Sequence, residues 1–451
     1  MSPWTASLES MPTTLGSPPA STPLGHVWDL HRGGPEWLSD IARRYGDVVP
    51  LDFPRQRTFL VSSPELVERV LVTRARDYLK SPMTNMLRPL IGDGLVVSEG
   101  DVHKANRQTV QSFFDQAHLE RYGAVMAQES QRLGARWRAG GSVDIAEAMT
   151  DLTLRIVGHC LFGTDVGGGA VHISDWLDVV MRRADVRVGL LPRWTRHIPA
   201  SPLHRIRSAE AALHSYTEDL IAKRREDSGH DDLLSALVAA AQETGWTDRQ
   251  IRDEAVTMLL AGHETTATAL TWAWALIAEY PDVRTAMQRE IDSLDGLAGW
   301  NDLPRLPYTR QVFAEAMRLR PPVWTIERVA VRPTRLGAAM LERGDTAMLS
   351  QWVLHHDARW WPDPNRFDPM RFAPGDASSR GRMDRPKFAY FPFGGGSRLC
   401  IGDRFAWAEG TLILANLAAD WELWPTGPLP KHTPRFTLRP AGPVAMTPRS
   451  R

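Results

Sequence analysis

Cysteine is nearly absent from this chain: Cys160 and Cys400 are the only two in 451 residues. That scarcity excludes a disulfide framework and any four-cysteine zinc site, and it fits a reducing cytoplasm. Net charge is absent as well, since 53 basic and 53 acidic side chains cancel. A chain that lives on nucleic acid needs excess positive charge to displace counterions, so that class is set aside. Lysine is scarce, at positions 80, 104, 223, 387 and 431 only, the other basic residues being arginine; no function follows from that bias. The start lacks the basic segment and apolar stretch that export requires. Residues 1–25 are instead rich in Ser, Thr and Pro and read as a flexible arm. No membrane anchor is expected either. The most apolar long stretch, 257–278, contains His263 and Glu264, which lipid disfavours, so it reads as a buried core helix. No internal repeat or mid-chain linker divides residues 26–451, which read as a single catalytic domain.

What is present is mostly helical periodicity. Residues 47–51 and 58–61 flank a Pro-containing turn and read as a hairpin. Helical patterns follow at 64–73, 103–114, 119–138, 145–162, 203–226, 231–243, 247–279, 283–294 and 308–319. The Gly167-Gly168-Gly169 run and residues 193–202 read as loops. A short β region spans about residues 327–349. The expected fold is mainly α with a small β portion.

The 247–279 helix carries the most information. Thr247 and Gln250 form a capping-box pattern and Pro281 ends the helix. Its length at 1.5 Å per residue makes a rod of roughly 48 Å, apolar almost all round, which other helices must wrap. Its middle reads Ala261-Gly262-His263-Glu264-Thr265-Thr266. A glycine there costs about 1 kcal/mol. Two explanations stand side by side: a tolerated kink with threonines bonding back to earlier carbonyls, or a ligand lying against this point.

The second signal is Phe391-Pro392-Phe393-Gly394-Gly395-Gly396-Ser397-Arg398-Leu399-Cys400-Ile401-Gly402. Three glycines permit sharp turns and close approach to a flat ligand. Cys400 opens an apolar helical run over 401–419, and a sulfur at a helix start meets N–H donors that favour the thiolate. Cys160, in a helical run ending at Leu161-Phe162-Gly163, reads as buried packing. His355 and His356, before Trp360-Trp361-Pro362, read as structural residues in a loop.

The cysteine segment resembles the haem-binding loop of the cytochrome P450 family. Other motifs agree in order: Ala261-Gly262-x-Glu264-Thr265 resembles the oxygen-activation motif of the central helix, and Glu315-x-x-Arg318 the helix pair before the β region. Phe367-Asp368-Pro369-Met370-Arg371-Phe372 resembles the segment whose arginine completes that pair, with Met370 where an acidic residue is common. His103-x-x-x-Arg107 resembles the propionate-binding helix, with His where many members have Trp. The resemblance spans about residues 25–445 and implies the P450 fold, with the long helix crossing the domain over the haem.

By the resemblance, Cys400 is the iron ligand of a haem b, flanked by Phe393, Gly394, Arg398 and Gly402. His103, Arg107, Arg328 and Arg398 are the propionate candidates, with Glu327 competing for Arg328, and Ala261 lies against the haem. Glu315 and Arg318, one helical turn apart, pair with Arg371 to hold the Cys400 loop. Glu264 and Thr265 are the acid and alcohol that deliver protons while bulk water is excluded. Axial thiolate favours O–O cleavage, so the implied reaction inserts one oxygen atom from O2 into a C–H or double bond. With no flavin or nicotinamide fingerprint in the chain, a separate ferredoxin and NAD(P)H-dependent ferredoxin reductase are implied, docking where Arg398 and Arg404 contribute positive charge. The substrate pocket is expected at Met83, Met86, Leu87, Leu90, Ala261, Val323, Trp324, Ile326 and Phe436. Their apolar character points to a bulky, mainly apolar substrate such as a terpenoid, polyketide or macrolactam of bacterial secondary metabolism. A fatty acid anchored by Arg88 is the alternative substrate. A haem-thiolate isomerase or lyase, or a haem-binding sensor, would be expected to lose the acid–alcohol pair.

Overall fold

The computed structural model describes residues 16–23, 25–54, 56–164, 170–181, 193–199, 201–227, 229, 232–374 and 385–451. The chain packs into two compact units, each built from separated stretches. One holds the residues up to Ser81, Val323–Arg366 and the run ending at Cys400; the other holds Pro82–Pro322, the run beginning at Phe367, and Ile401–Arg451. Of the expected N-terminal arm, residues 1–15 and 24 lie outside the described residues. Within residues 16–23, Pro18 offers its carbonyl to His26 Nε2 at 3.1 Å.

The first unit contains a five-stranded sheet in the order Val48–Phe53, Gln56–Val61, Thr346–Leu349, Ile326–Ala330, Tyr78–Lys80. Its first two strands form the expected antiparallel hairpin, with Leu51 opposite Thr58. Gln56–Val61 then pairs in parallel with Thr346–Leu349, which a hairpin reading cannot foresee. Phe59, Val61, Tyr78, Ala347 and Leu349 share one apolar core with Phe388 and Phe391. The run leading to the cysteine is therefore anchored by close packing against the sheet.

The second unit is helical. The long helix Asp248–Glu279 packs on Ile145–Phe162, Pro202–Glu226 and Asp403–Asp420. Its capping box forms as expected: Thr247 Oγ1 accepts from Gln250 N–H and Gln250 Oε1 accepts from Thr247 N–H. The helices Pro64–Glu68, Gly100–Gln111, Gln116–Trp137, Leu233–Thr244, Pro281–Ile291 and Pro307–Leu319 also lie where the periodicity puts them, with ends shifted by a few residues. The β region around residues 327–349 is present as four short strands.

Several elements escape the sequence reading. Helix Val27–Tyr45 contains Gly33-Gly34-Pro35, a strong breaker signal. The structure answers it locally: Gly34 alone takes φ 54°, and the helix resumes with Leu38 and Ile41 buried. Gln351–His355 is a short helix capped by Ser350, not a loop. Residues 193–202 include a 3-10 turn at Arg193–His197. Helix Ala170–Met181 follows the Gly167–Gly169 run, which lies outside the described residues. Of the C-terminal strands, His432–Pro434 and Leu438–Pro440 form a local hairpin, Trp421–Pro425 pairs with Ala445–Ser450, and Ala445–Ser450 also reaches the distant Val143–Asp144. The last helix begins at Asp403 with Gly402 as its N-cap. Cys400 thus precedes the cap by two residues, and loop geometry takes over the orienting role expected of the first helical turn. No helix among the described residues is long and apolar enough to cross a membrane.

Candidate active site

Within the first unit the cysteine loop closes on itself. Gly394 N–H donates to Phe391 O at 3.0 Å, Leu399 N–H to Gly396 O at 3.1 Å, and Cys400 N–H to Phe393 O at 3.1 Å. Gly394 and Gly396 stand at φ 71° and 69°, the left-handed region that glycine enters without strain. A Cβ on Gly396 would also fall 1.9 Å from the Leu71 carbonyl oxygen. His355 is fully buried, and its Nε2 accepts the Phe391 N–H at 3.1 Å. Its structural role stands while its expected loop setting does not.

The two cysteines differ as the sequence suggests. Cys160 is buried, and burial pushes its thiol well above the ordinary range; Cys400 is exposed. Two propionate candidates meet at strand Tyr78–Lys80. Arg398 donates to Ala75 O at 3.4 Å and Tyr78 O at 3.2 Å. Arg328 is the strand partner of Lys80 and donates to Glu327 O at 2.8 Å. The Glu327 carboxyl turns instead to Ser81, and burial raises its pKa. Competition between the Glu327 and Arg328 side chains is thereby relieved, because successive strand residues point to opposite faces.

Within the second unit the long helix shows one break in its burial. From Asp253 to Ile277 every residue is buried except Ala261, Gly262 and Thr265. Ala261 and Thr265 are one turn apart on the same face, and Thr265 Oγ1 donates to Ala261 O at 2.9 Å. Gly262 has its own cause: a Cβ there would lie 3.0 Å from Val157 Cγ2, so the glycine admits the neighbouring helix Ile145–Phe162. Thr153 on that helix donates to His263 O at 3.0 Å. The glycine and the opening at Ala261 and Thr265 are thus separate features with separate physical origins.

Glu264 is buried beside this opening. Its Oε1 accepts from Thr437 Oγ1 at 2.5 Å and from Arg439 Nε at 2.9 Å. Thr266, next to Thr265, is buried, and its Oγ1 donates to Gly262 O at 3.5 Å. His103 and Arg107 lie half-buried one turn apart on helix Gly100–Gln111. Glu315 takes Arg318 through two contacts of 2.7 and 2.8 Å, Arg371 at 3.3 Å and Asp368 N–H at 3.0 Å. This buried network binds the Asp368–Arg371 turn to helix Pro307–Leu319, and Met370 points to solvent without joining it. The pocket candidates divide. Leu87 and Leu90 are core residues, whereas Met83 is exposed and Met86, Val323, Trp324, Ile326 and Phe436 are half-buried. Ile326 approaches the cysteine loop, its Cδ1 lying 3.8 Å from where a Gly394 Cβ would stand.

Sequence reasoning missed Glu409 and Arg439. Glu409 carried a usable signal: it is the one carboxylate inside an apolar helical face. Burial raises its pKa from 4.5 to about 8, so the folded acid keeps its proton at neutral pH. Between those values the unfolded chain binds fewer protons than the folded one, so stability falls as pH rises from about 4.5 to about 8 and levels off above. Glu409→Gln should flatten that slope and gain on the order of a few kcal/mol over wild type above pH 8. Urea unfolding of both proteins at several pH values across that window checks this; equal slopes would refute it.

These residues fit a haem. The chain offers an accessible soft thiol on a glycine-shaped loop, arginines suited to carboxylates, and a small-residue opening beside an alcohol on the long helix. Among the described residues no three His, Cys, Asp or Glu side chains group to hold a metal ion by themselves. Comparison with known proteins agrees. The model of the family Cytochrome P450 matches residues 16–444. Cyclooctatin synthase of Streptomyces melanosporofaciens is 37% identical over 448 residues, covering 96% of this chain and 95% of its own. Cyclooctat-9-en-7-ol 5-monooxygenase of the same organism is 34% identical, covering 92% and 90%, and pentalenene oxygenase of Streptomyces avermitilis is 33% identical, covering 90% and 91%. The chain therefore belongs to the cytochrome P450 family, and it is a haem-iron monooxygenase that uses O2 and redox partners.

Proposed function

We propose that this enzyme oxygenates a bulky, apolar terpenoid of bacterial secondary metabolism, and that Cys400 would hold the iron of a haem b. The observation that carries the substrate class is the similarity, over nine-tenths of the chain, to oxygenases named for pentalenene and cyclooctat-9-en-7-ol. Those names denote an alkene and an alkenol, neither of which needs a charged anchor. The fatty-acid reading loses its anchor, because Arg88 is exposed and ion-paired with Asp93. Electrons would come from a ferredoxin and its NAD(P)H-dependent reductase in the cytoplasm.

A thiolate-ligated haem, when bound, activates O2 so that one oxygen atom enters the substrate and the other leaves as water. The chain's own residues supply the rest. Cys400 would hold the iron, with Phe393, Gly394 and Gly402 shaping the loop around it. His103, Arg107, Arg328 and Arg398 would hold the propionates. Ala261 would leave room for the macrocycle, Thr265 Oγ1 would orient a proton donor at the opening, and Glu264 would supply the acid next to it. Val323, Trp324, Ile326, Met83, Met86 and Phe436 would meet the substrate.

Titrating the purified holoprotein with a panel of cyclic sesquiterpene and diterpene hydrocarbons and alcohols, and with long-chain fatty acids, tests the substrate class through the Soret shift. Tighter binding of the fatty acids would overturn it. The propionate assignment carries its own expected result. Removing one partner of a buried charge pair costs about 3–5 kcal/mol, so Arg107→Ala should lower haem content and melting temperature. Full haem occupancy with unchanged melting would rule the role out.

A further inference from the structure

Glu264 is tied to an element 170 residues further along the chain. Its Oε1 receives Thr437 Oγ1 at 2.5 Å, Arg439 Nε at 2.9 Å and Arg439 Nη2 at 2.9 Å. One oxygen of the carboxylate is taken by these donors, and the other is not engaged by them. Both partners belong to the tip and outgoing strand of the C-terminal hairpin formed by His432–Pro434 and Leu438–Pro440. The residue between them is fixed as well: Leu438 N–H donates to Pro322 O at 2.9 Å, and Leu438 O accepts the Trp272 indole N–H at 2.7 Å. Trp272 stands on the same long helix as Glu264. The turn is tight, since Arg435 N–H and Arg439 N–H both reach Thr437 O at 3.1 Å. Thr437 and Leu438 are buried, while Phe436 at the tip is only half-buried. The hairpin is thus sealed to the helix through Thr437, Leu438 and Arg439.

We propose that Glu264 is a positioning group as well as an acid: through Thr437 and Arg439 it pins the hairpin tip and thereby sets where Phe436 stands against the substrate. This rests on the reading of Phe436 as a pocket residue. Charge-assisted hydrogen bonds to a buried carboxylate are about twice as strong as neutral ones, and the Arg439 fork fixes direction as well as distance. A threonine there adds a short, stiff bond that a valine of the same shape cannot make. Arg439 and Thr437 are thus specificity-determining residues that act through Phe436 without touching the substrate. The sequence spacing between residues 264 and 437 hides this link completely; only the fold brings the acid to the hairpin.

The test uses two probes that bind haem iron through the same nitrogen, imidazole and 4-phenylimidazole, on the purified holoprotein. The ratio of their dissociation constants reads the space beside the iron and needs no knowledge of the natural substrate. Phe436→Ala should change that ratio. Thr437→Val should change it by about tenfold, the loss of one charge-assisted bond, and Arg439→Ala, which removes a two-nitrogen fork, by at least as much. Imidazole affinity alone, haem content and the carbon monoxide band should stay at wild-type values, and Arg439→Lys should restore part of the ratio. If Arg439→Ala fails to retain haem, the shape-conserving Thr437→Val decides the question. Wild-type ratios in the clamp variants, alongside a changed ratio in Phe436→Ala, would overturn the clamp and spare the pocket reading. An unchanged ratio in Phe436→Ala would sink the pocket reading of Phe436, and the clamp's role with it.

Discussion

In the Cys400→His protein, the long-wavelength band of the reduced carbon monoxide complex is expected to vanish completely, and turnover with it. Histidine binds haem iron well, so haem is retained and the experiment reads ligand identity instead of cofactor loss. The loop supports this substitution as a clean test. Its shape comes from Gly394, Gly396 and the Cys400 N–H to Phe393 O bond, none of which involves the sulfur. The natural control is Cys160→Ser, in a fully packed site where the thiol is held protonated by burial. That variant loses stability, because a hydroxyl is placed among apolar neighbours, but keeps the band. A band that survives in Cys400→His would end the assignment.

Thr265→Ala should leave haem binding and NADPH consumption in place while oxygenated product per NADPH collapses and peroxide appears. A positioned proton donor is typically worth about 10²–10⁴-fold in rate, and this hydroxyl sits at the one opening in the long helix. The Thr265 Oγ1 bond to Ala261 O keeps it in a defined rotamer pointing along that face. The neighbouring threonine makes a sharper control than helical spacing alone would suggest. Thr266 is buried, its Oγ1 donating to Gly262 O at 3.5 Å, so Thr266→Val is expected to alter stability while coupling stays near wild type. A Thr265→Ala enzyme that couples as well as wild type would show that the substrate supplies the proton path.

The family was legible in short motifs because their chemistry is local. A thiol loop needs glycines next to the cysteine, a helical ion pair needs Glu315 and Arg318 one turn apart, and an acid–alcohol step needs Glu264 and Thr265 adjacent. Helix positions were equally legible, since apolar periodicity and the Thr247 capping box depend on neighbours within a few residues. Residues 33–35 show the limit of that locality. The breaker signal was real, but one glycine absorbed it and the packing of Leu38 and Ile41 carried the helix onward.

The sequence by itself determined a mainly helical fold class and, through motifs that resemble the cytochrome P450 family, the family to which the chain belongs. Tertiary structure alone decided what each polar group is paired with. Gly262 in sequence suggests a ligand or a kink, yet a neighbouring valine accounts for it. Glu264 looks like a free acid, yet it holds a hairpin distant in sequence. Glu409 goes unnoticed in an apolar helix, yet burial makes it the acid whose proton tracks stability. Local patterns encode which side chains share a face, whereas hydrogen-bond partners and burial arise when distant segments meet, because they depend on what removes water from each group.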